Sequence, residues 1–573
     1  MFSFNRRHGS SNSNSIDLEK EKKPEEFNDQ SLRNLNSSDS QGEEGSVTAI
    51  HTTHRSLNSR TINLIAIGGS VGTALFVTIS GGLLNGGPAN LFIAYTIWSC
   101  VMFTIIASIG EMVCYLPITA PFIQMAGRCV DEAFEAIVGM NYWLMTSINI
   151  AFEITAVNSM ISFWRDDYSP AITFVLQIFI YTLLNVFAVR YFGESEFWLS
   201  LGKLILAIGL ILFTFVTMVG GNPQHDAYGF RYWNNPGPMV EYLTGGSMGR
   251  FHGFMAAMNK AVFTCVGPEY LCMVAGETGQ ETRKVLAKSF RTVFYRLFVF
   301  YVLGSLCVSV LLASNDATLV KLAETNGGSN GAFSPYVIAM NNMKIKVLPH
   351  IVNALCVTSA FSAGNSYVYC SSRSLLALSY NGFAPKFLQY CTKNGVPIFC
   401  IGVSFCFSLL SLLQLGSSSG KALTWIVNVT ASAQIANYFL MSITYMGFWR
   451  ACQAQGVDKS TFRYRSWFQP YTILIGMFLT LCMVCAFGYI VLMPGRWDVG
   501  TFLTSYLMIL LDVVVFIGYK LIKRTKFVNP AEADIFTGIE EVEQHELNYL
   551  EQRERLGLDV NPSIWQRIMN WIF

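Results

Sequence analysis

The sequence predicts an all-α membrane protein with twelve spanning helices. Of its 573 residues, 52% are hydrophobic and only 13% are charged, whereas soluble proteins carry about 25% charged residues. The charges also concentrate at the two ends, with 15 charged side chains in residues 1–50 and 15 in residues 521–573. Between these ends the chain divides into apolar stretches near the ~20-residue length that crosses a bilayer. This composition excludes a nucleic-acid-binding protein, a disordered scaffold and a soluble enzyme with a small anchor.

The first 55 residues are rich in Ser, Asn, Glu and Lys. They contain too little apolar surface to fold, so we expect a disordered cytosolic tail. Three of its lysines could accept ubiquitin from a cytosolic ligase, although a solvated charge run is the simpler interpretation. They are Lys20, Lys22 and Lys23.

Residues 56–521 are expected to form the membrane domain. Its twelve apolar stretches are called segments 1 to 12 below. They lie at about 61–83, 89–115, 136–163, 171–190, 197–220, 252–276, 294–314, 348–378, 397–415, 422–448, 470–493 and 500–521. Lys and Arg are frequent after segments 6, 8, 10 and 12 and sparse in the alternate loops. The positive-inside rule therefore places both tails in the cytosol and requires an even number of crossings.

Residues 522–573 are expected to form a cytosolic C-terminal tail. Its last residues carry Trp565, Ile568, Trp571 and Ile572 at helical spacing. Such a pattern is typical of a short helix that lies on the inner membrane surface and contacts lipid.

Segments 1 and 6 contain residues that interrupt a helix. Segment 1 carries Gly68 and Gly72, and segment 6 carries Gly267-Pro268 followed by Glu269. Backbone groups freed at membrane depth survive only where they are buried in protein or line a cavity. Interrupted helices at matching positions of two five-helix halves indicate the binding site of an inverted-repeat transporter. Amides at a half-helix N-terminus favour a carboxylate and facing carbonyls favour an ammonium, so the pattern suits a zwitterion.

A simpler explanation exists for the glycines of segment 1. Gly68 and Gly72 alone fit small-residue helix packing equally well. The carboxylate of Glu269 does not, because a charge at the centre of a spanning helix is costly and usually functional.

Several ionisable residues are predicted inside the membrane. Those near mid-membrane are Glu153, Lys203, Lys260, Glu269 and Asp512, and those expected nearer the cytosolic ends are Glu111, Glu194, Glu196 and Glu277. Lys203 lies about nine residues inside segment 5, hence ~13 Å deep at 1.5 Å per residue. Such groups either exchange protons during transport or form static buried pairs, and the first alternative is favoured.

Catalytic, metal and cofactor sites are not predicted. The seven histidines lie in tails, loops or segment ends, so no nucleophile–His or metal-ligand constellation can be assembled. Cys482 and Cys485 form a C-x-x-C spacing inside an apolar run. With no His nearby, they are best interpreted as buried small hydrophobic residues. We therefore expect neither an enzyme nor a nucleic-acid partner.

Several sequence blocks, in order along residues 55–545, carry a family resemblance. The first is Ile65 to Phe76, which is similar to I-G-G-x-I-G-T-G-L-F. The others are 275–277 (Ala-Gly-Glu), 362–366 (Ser-Ala-Gly-Asn-Ser), 372–373 (Ser-Arg), 381–386 (Asn-Gly-Phe-Ala-Pro-Lys), 395–397 (Gly-Val-Pro) and 468–471 (Phe-Gln-Pro-Tyr). On these blocks the chain resembles the fungal amino-acid permeases of the amino acid–polyamine–organocation superfamily. Blocks at 152–154, 164–168, 220–226 and 334–342 resemble its branch of yeast permeases linked to general amino acids, carnitine and polyamines.

The resemblance implies a LeuT-like fold, with a five-plus-five inverted repeat and two peripheral helices. It also implies proton-driven import of amino acids, with broad specificity, at the plasma membrane. The cargo would be a small molecule, namely an amino acid or a related cation or zwitterion.

The same resemblance implies roles for individual residues. The substrate carboxylate would bind at the break of segment 1, and the ammonium at the carbonyls of Ser70, Phe263 and Val266, beside Gly267. Phe263 would be a lid, Tyr367 a second wall, and Glu269 the carboxylate that couples gating to protonation. Lys203 is similar to a lysine that replaces a sodium ion between segments 1, 5 and 8 in some relatives. Glu153 faces the side-chain pocket and could pair with a cation. The break of segment 1 comprises Ser70, Gly72, Thr73 and Ala74.

One departure from the family pattern bears on the cargo. Ala74 stands where the family has its third glycine, which adds a methyl group where the backbone must approach the substrate. Together with Glu153 it motivates an alternative cargo, a polyamine or carnitine. A low-flux nutrient receptor with the same fold is a further alternative that the charged tails permit.

Overall fold

The computed structural model describes Ile62 and residues 72–555, except 166, 188, 280, 326–333, 393–394 and 416–418. Every regular element among these residues is a helix, as the sequence predicts. The N-terminal tail, the N-terminal half of segment 1 and the Trp- and Ile-bearing end of the chain lie outside the described residues. The predictions about Lys20, Lys22, Lys23, Ser70 and residues 564–573 are therefore not addressed by the structure.

A helix coincides with each predicted segment. In order, their bounds are Ala74–Gly86, Pro88–Tyr115, Glu132–Ile161, Pro170–Thr182, Val189–Met218, Gly246–Thr264 with Pro268–Val274, Thr282–Leu311, Leu348–Tyr380, Ile398–Ser408, Ser419–Ala454, Tyr471–Ala486 and Val499–Lys523. A π-helical turn, Leu183–Phe187, extends segment 4, and a 3₁₀ turn, Leu409–Leu415, extends segment 9.

Six of these helices are long and apolar enough to cross a membrane. They are Pro88–Tyr115, Glu132–Ile161, Ser195–Met218, Ile398–Leu415, Leu423–Ala454 and Val499–Lys523. Within the described residues the remaining helices are shorter, interrupted or more polar; segment 8, at 33 residues, is long but rich in serine. The structure thus establishes an all-helical chain with six clear candidate spans, half the predicted number.

The helices begin where the sequence supplies caps. Proline occupies the first helical position of segments 2 and 4, as Pro88 and Pro170, where its missing N–H costs nothing. Asp131 caps segment 3 by accepting the Ala133 N–H at 2.8 Å, and Asp498 caps segment 12 by accepting the Thr501 N–H at 2.7 Å. These caps fix the boundaries of otherwise continuous apolar stretches.

The most extensive packing joins segments that are five apart in the chain. Segment 8 lies along segment 3, segment 7 along segment 2, and segment 6 along segment 1. Segments 10 and 12 also pack on each other. Segments 3 and 8 therefore stand beside the interrupted segments 1 and 6, and together these four helices position the candidate site.

Part of the predicted C-terminal tail is folded. Residues 539–555 form a helix, Ile539–Arg555, and the side chains of Ile535 and Val542 before and within it are fully buried. The Arg128 guanidinium donates to the Thr537 carbonyl at 2.9 Å, and Arg283 forms an ion pair with Glu543 at 3.2 Å. The tail is thereby attached to the helix Pro121–Cys129, which precedes segment 3, and to the start of segment 7.

One prediction about the periphery is wrong. Cys482 and Cys485 are exposed rather than buried. They lie on the outer face of segment 11, whose exposed residues also include Phe478 and Leu481. An apolar run inside a membrane domain predicts contact with lipid or protein without distinguishing the two, because lipid tails are as apolar as a protein core.

Candidate substrate site

The described part of segment 1 begins with a bend at Gly72 and enters its helix at Thr73. The first turn, Ala74–Thr78, is π-helical, and it continues as the α-helix Ile79–Gly86. Wide π turns are rare and are frequently found at functional sites. Of the predicted carboxylate-site residues, Gly72, Thr73 and Ala74 therefore lie at an irregular helix start.

Segment 6 is interrupted where the sequence predicts. Its first helix ends at Thr264, Cys265 is extended, and a second helix begins at Pro268. The hydroxyl of Tyr301 on segment 7 bridges the gap: it donates to the Val266 carbonyl at 2.8 Å and accepts the Val266 N–H at 3.2 Å. The carbonyl keeps a second lone pair, so it remains able to accept from a ligand ammonium.

Aromatic rings flank this interruption on both sides. Phe263, just before it, is buried and packs edge-on against Phe152 of segment 3, with ring centroids 5.0 Å apart. Tyr270, just after it, packs against Tyr367 of segment 8 at 5.7 Å. The predicted lid and second wall thus lie at the two ends of the same break.

Glu153 ties segment 3 to the start of segment 1. Its Oε2 accepts a hydrogen bond from the Thr73 hydroxyl at 2.5 Å. A Cβ at position 72 would lie 3.3 Å from both Glu153 Oε1 and the Cβ of Ala363. Gly72 therefore allows the backbone of segment 1 to approach a carboxylate and segment 8 closely.

The block Ser362 to Ser366 of segment 8 is a junction between helices. Ala363 faces Gly72 of segment 1, and a Cβ at Gly364 would meet Tyr181 of segment 4 and, at 3.3 Å, the Cβ of Glu153. The Asn185 side chain of segment 4 donates to Asn365 at 2.8 Å. The small and amide side chains of this block allow segments 1, 3 and 4 to pack against segment 8.

Segment 5 contributes two buried charges to the same junction. Lys203 is 1% exposed, and its charge interacts with those of Glu196 and Glu153. Glu196 is fully buried, and its Oε1 accepts hydrogen bonds from Ser362 at 2.7 Å and Ser366 at 3.1 Å. Glu196 lies in the N-terminal third of segment 5 and links it to segment 8.

Glu269 occupies the first turn of the second half of segment 6. Its Oε1 accepts the Tyr438 hydroxyl of segment 10 at 3.2 Å, and its Oε2 accepts the Gly267 N–H at 3.3 Å. The Tyr438 hydroxyl in turn accepts from the amide of Gln434 at 3.1 Å. A buried carboxylate at a helix N-terminus is stabilised by the helix dipole as well as by these donors.

Four other predicted intramembrane charges, those of Glu111, Glu277, Lys260 and Asp512, lie apart from this junction. Glu111 is paired with Lys459 at 3.4 Å, and Glu277 with Arg373 at 3.0 Å. Lys260 is half-buried on segment 6 and Asp512 is buried on segment 12. Among the described residues, no group of three His, Cys, Asp or Glu side chains is placed to hold a metal ion.

Residues 61–530 match the family model described as amino acid permease. The chain belongs to the amino acid permease family. It is 44% identical over 504 residues to the general amino acid permease AGP2 of Saccharomyces cerevisiae, covering 86% of this chain and 84% of that protein. It is 36% identical over 513 residues to a proline-specific permease of the same yeast (88% and 81% covered) and 35% identical over 520 residues to its dicarboxylic amino acid permease (89% and 85%).

The fold of this chain is similar to that of a transporter of known structure. The permease superimposes on a mutant of the manganese transporter of Eremococcus coleocola with a TM-score of 0.50 and 12% identity, covering 84% of this chain and all of that one. Because the family model and the permease relatives cover most of the chain, the protein is a multi-pass membrane transporter and not an enzyme.

The sequence analysis assigned Glu196 no contact within the permease, although the sequence carries a signal for its burial. Glu196, Ser200, Lys203, Ala207, Leu210 and Thr214 recur at intervals of four and three residues along segment 5. That spacing is one face of a helix, and the face is buried throughout.

Proposed function

We propose that this permease is a proton-coupled symporter of the plasma membrane that imports amino acids with broad specificity. The supporting observation is the interruption of segment 6, with a buried carboxylate, Glu269, at the start of its second half. A binding site built from main-chain groups recognises the carboxylate and ammonium that all amino acids share. It does not select among their side chains. The relatives, which include a general amino acid permease, favour the same substrate class.

The substrate would lie between the two irregular stretches. N–H groups at the start of a helix lack partners within the helix, so Ser70, Gly72, Thr73 and Ala74 would receive the carboxylate. Carbonyls of Ser70, Phe263 and Val266 would receive the ammonium beside Gly267. The rings of Phe263 and Tyr367 would enclose the bound molecule from either end of the break.

Glu269 would carry the coupled proton. It is held by a hydroxyl and a backbone amide, and both donors are neutral. Protonation would remove the charge that attracts these donors, which would loosen the link between segments 6 and 10. Lys203 would support coupling by fixing the charge balance near segment 1.

The membrane arrangement completes the proposal. Residues 56–521 would cross the bilayer twelve times as two inverted repeats of five helices plus two peripheral ones. Both tails, 1–55 and 522–573, would then be cytosolic, where the first could meet a ubiquitin ligase. The packing of segments five apart in the chain is what such a repeat requires.

Glu269→Gln tests the coupling role. The variant keeps the size of the side chain but cannot carry an ionisable proton, so concentrative uptake of labelled amino acid should be abolished while downhill exchange persists. Glu241→Gln, on an exposed loop residue paired with Arg250 at 3.5 Å, is the matched control. Full accumulation by Glu269→Gln would refute the proposed role.

A second cargo is favoured by one observation. Glu153 places a buried carboxylate directly against Gly72 and Thr73, where the positive group of a polyamine or carnitine could pair with it. Competition of labelled amino acid uptake by excess spermidine and by carnitine separates the two cargoes. Uptake of either compound without uptake of amino acids would replace the first proposal by the second.

A further inference from the structure

Residues 528–546 of the C-terminal tail, called the strap below, contact three elements at one end of the membrane domain. The Val528 N–H donates to the Val130 carbonyl, just before segment 3, at 2.9 Å. The Gln455 amide, at the end of segment 10, donates to two carbonyls of the strap at 2.9 and 2.8 Å. Since Ile535 is fully buried as well, the first half of the strap is docked by both its backbone and its side chains.

The strap lies against the connection between segments 2 and 3. A Cβ at Gly538 would lie 3.3 Å from the side chain of Ile118 and 3.6 Å from that of Leu116. The next residue of the connection, Thr119, meets the end of segment 6, because a Cβ at Gly276 would lie 2.8 Å from the Thr119 N. Adjacent residues of one connection therefore contact the strap and the end of segment 6.

The helix at the end of the strap caps segment 7. The Arg283 N–H, in the first turn of segment 7, donates to Oε1 of Glu546 at 2.8 Å. Glu281, at the N-cap position, makes no side-chain cap hydrogen bond of its own. The first N–H groups of a helix lack partners within it, and a carboxylate there is also favoured by the helix dipole. Glu546 thus supplies a cap that the local sequence does not.

These contacts lie at the far end of the half-helix that carries Glu269. That half-helix, Pro268–Val274, is ~10 Å long at 1.5 Å per residue. The 3₁₀ turn Ala275–Glu277 follows it, and segment 7 begins a few residues later. Because a short helix moves as a rigid rod, the strap opposes any tilt of the second half of segment 6.

We propose that the strap holds the cytosolic end of segment 6 closed against the connection between segments 2 and 3, and that the route to the cytosol opens only when Glu546 leaves segment 7. The inference rests on the proposed function, which places the tail in the cytosol, and goes beyond it. Alternating access requires contacts that form in one state and break in the other. Partly exposed hydrogen bonds and ion pairs suit this role, because each contributes little alone.

Glu546→Ala tests the inference by removing the cap. Cys272 is fully buried on the second half of segment 6, so its alkylation by the membrane-permeant reagent N-ethylmaleimide reports movement of that half. In vesicles, the alkylation rate measured by peptide mass spectrometry should rise roughly fivefold, the factor expected for the loss of one helix cap. Cys406, which is exposed, should react at the wild-type rate and is the internal standard.

Three further variants separate the cap from the rest of the tail. Glu546→Gln keeps an oxygen that can accept the Arg283 N–H, so it should raise the rate less than Glu546→Ala. Val542→Asp places a charge at a fully buried position of the strap and should raise the rate at least as much. Glu541→Ala, exposed on the same helix, is the matched control and should behave as wild type.

Hydrogen exchange of residues 528–546 records whether the strap has left the membrane domain. Exchange and Cys272 alkylation should rise together in Glu546→Ala and in Val542→Asp. Faster exchange with unchanged alkylation would mean that the strap docks without holding segment 6, which would overturn the inference. Exchange of labelled alanine by the same vesicles keeps the two proposals apart. Wild-type protein that exchanges no alanine would refute the proposed function, whereas unchanged alkylation beside normal alanine exchange would overturn only the role of the strap.

Discussion

Two buried carboxylates near the broken segments are stabilised in different ways. Glu153, 2% exposed, accepts a hydroxyl from Thr73 and interacts with the charge of Lys203. Glu269, 1% exposed, accepts a hydroxyl from Tyr438 and the N–H of Gly267 at a helix N-terminus. A carboxylate that shares a cation is suited to exchanging that cation for another. A carboxylate held by neutral donors can lose its charge without leaving a bare cation behind.

The largest effect should come from Gly364→Ala, which disturbs the surroundings of Glu153. A methyl group at this position would overlap the hydroxyl of Tyr181 and lie 2.9 Å from its Cζ. Tyr181 is fully buried, so the clash cannot be relieved freely, and overpacking of this kind costs about 1–3 kcal/mol. Thermal unfolding in detergent should show the loss of stability.

Two companion variants make this prediction specific. Gly402→Ala, on segment 9, places its methyl group in open space and should be neutral. Adding Tyr181→Phe to Gly364→Ala removes the overlapping oxygen and should restore part of the stability. A double variant no more stable than Gly364→Ala alone would contradict a clash between the added methyl group and the Tyr181 hydroxyl.

Each of the two carboxylates accepts a hydrogen bond from one hydroxyl, that of Thr73 for Glu153 and that of Tyr438 for Glu269. Thr73→Val removes the donor to Glu153 and leaves a buried oxygen unpaired, at a cost of about 1–3 kcal/mol. Thr73 also belongs to the proposed carboxylate site, so a comparable loss from substrate binding should raise the KM for neutral amino acids roughly tenfold, since 1.4 kcal/mol corresponds to a factor of ten. The dependence of initial uptake on external pH should keep its shape. A displaced pH profile with an unchanged KM would reverse the roles assigned to the two sites.

Tyr438→Phe is the matched change at Glu269 and should have the opposite signature. The hydroxyl stabilises the ionised carboxylate, so its removal favours the protonated form. The midpoint of uptake against external pH should move upward by about half a unit to one unit, because one unit corresponds to 1.36 kcal/mol. The KM at acidic pH should change little, and a tenfold rise there would place Tyr438 in substrate binding.

The smallest effect is expected in the loop after segment 5. Two hydrogen bonds from Arg231, at 2.8 and 2.6 Å, lower the pKa of Asp226 below its ordinary value. A carboxyl with a lowered pKa stabilises the fold above its unfolded pKa and loses that contribution only as pH falls through the lowered value. Between pH 4.5 and 7 its charge is constant. Asp226→Asn should therefore leave the pH profile of uptake unchanged, and a shifted profile would locate pH sensing in this loop.

The break of segment 6 could be predicted because its signal is local. Gly267, Pro268 and Glu269 stand together in an apolar run. Gly and Pro weaken or interrupt a helix, and a carboxylate is costly inside a membrane. The all-helical architecture followed from composition and apolar length in the same way. Both inferences require only neighbouring residues.

The contacts between segments could not be predicted in this way. Ser362 and Ser366 belong to a block that marks the family, but nothing near them in the sequence indicates that they bind Glu196, 166 and 170 residues away. The interaction of Lys203 with Glu196 and Glu153 likewise depends on how the helices pack. Exposed Cys482 and Cys485 show the same limit, because hydrophobicity does not say which face of segment 11 meets lipid.

The central claim is that Glu153 recognises charge and Glu269 carries the proton. It is tested most directly by recording proton influx, with a pH-sensitive dye trapped in vesicles, during uptake of labelled alanine. Glu153→Gln should retain proton influx with alanine and lose inhibition by lysine. Glu269→Gln should exchange alanine without proton influx and keep inhibition by lysine. Proton influx that persists in Glu269→Gln and disappears in Glu153→Gln would contradict the account.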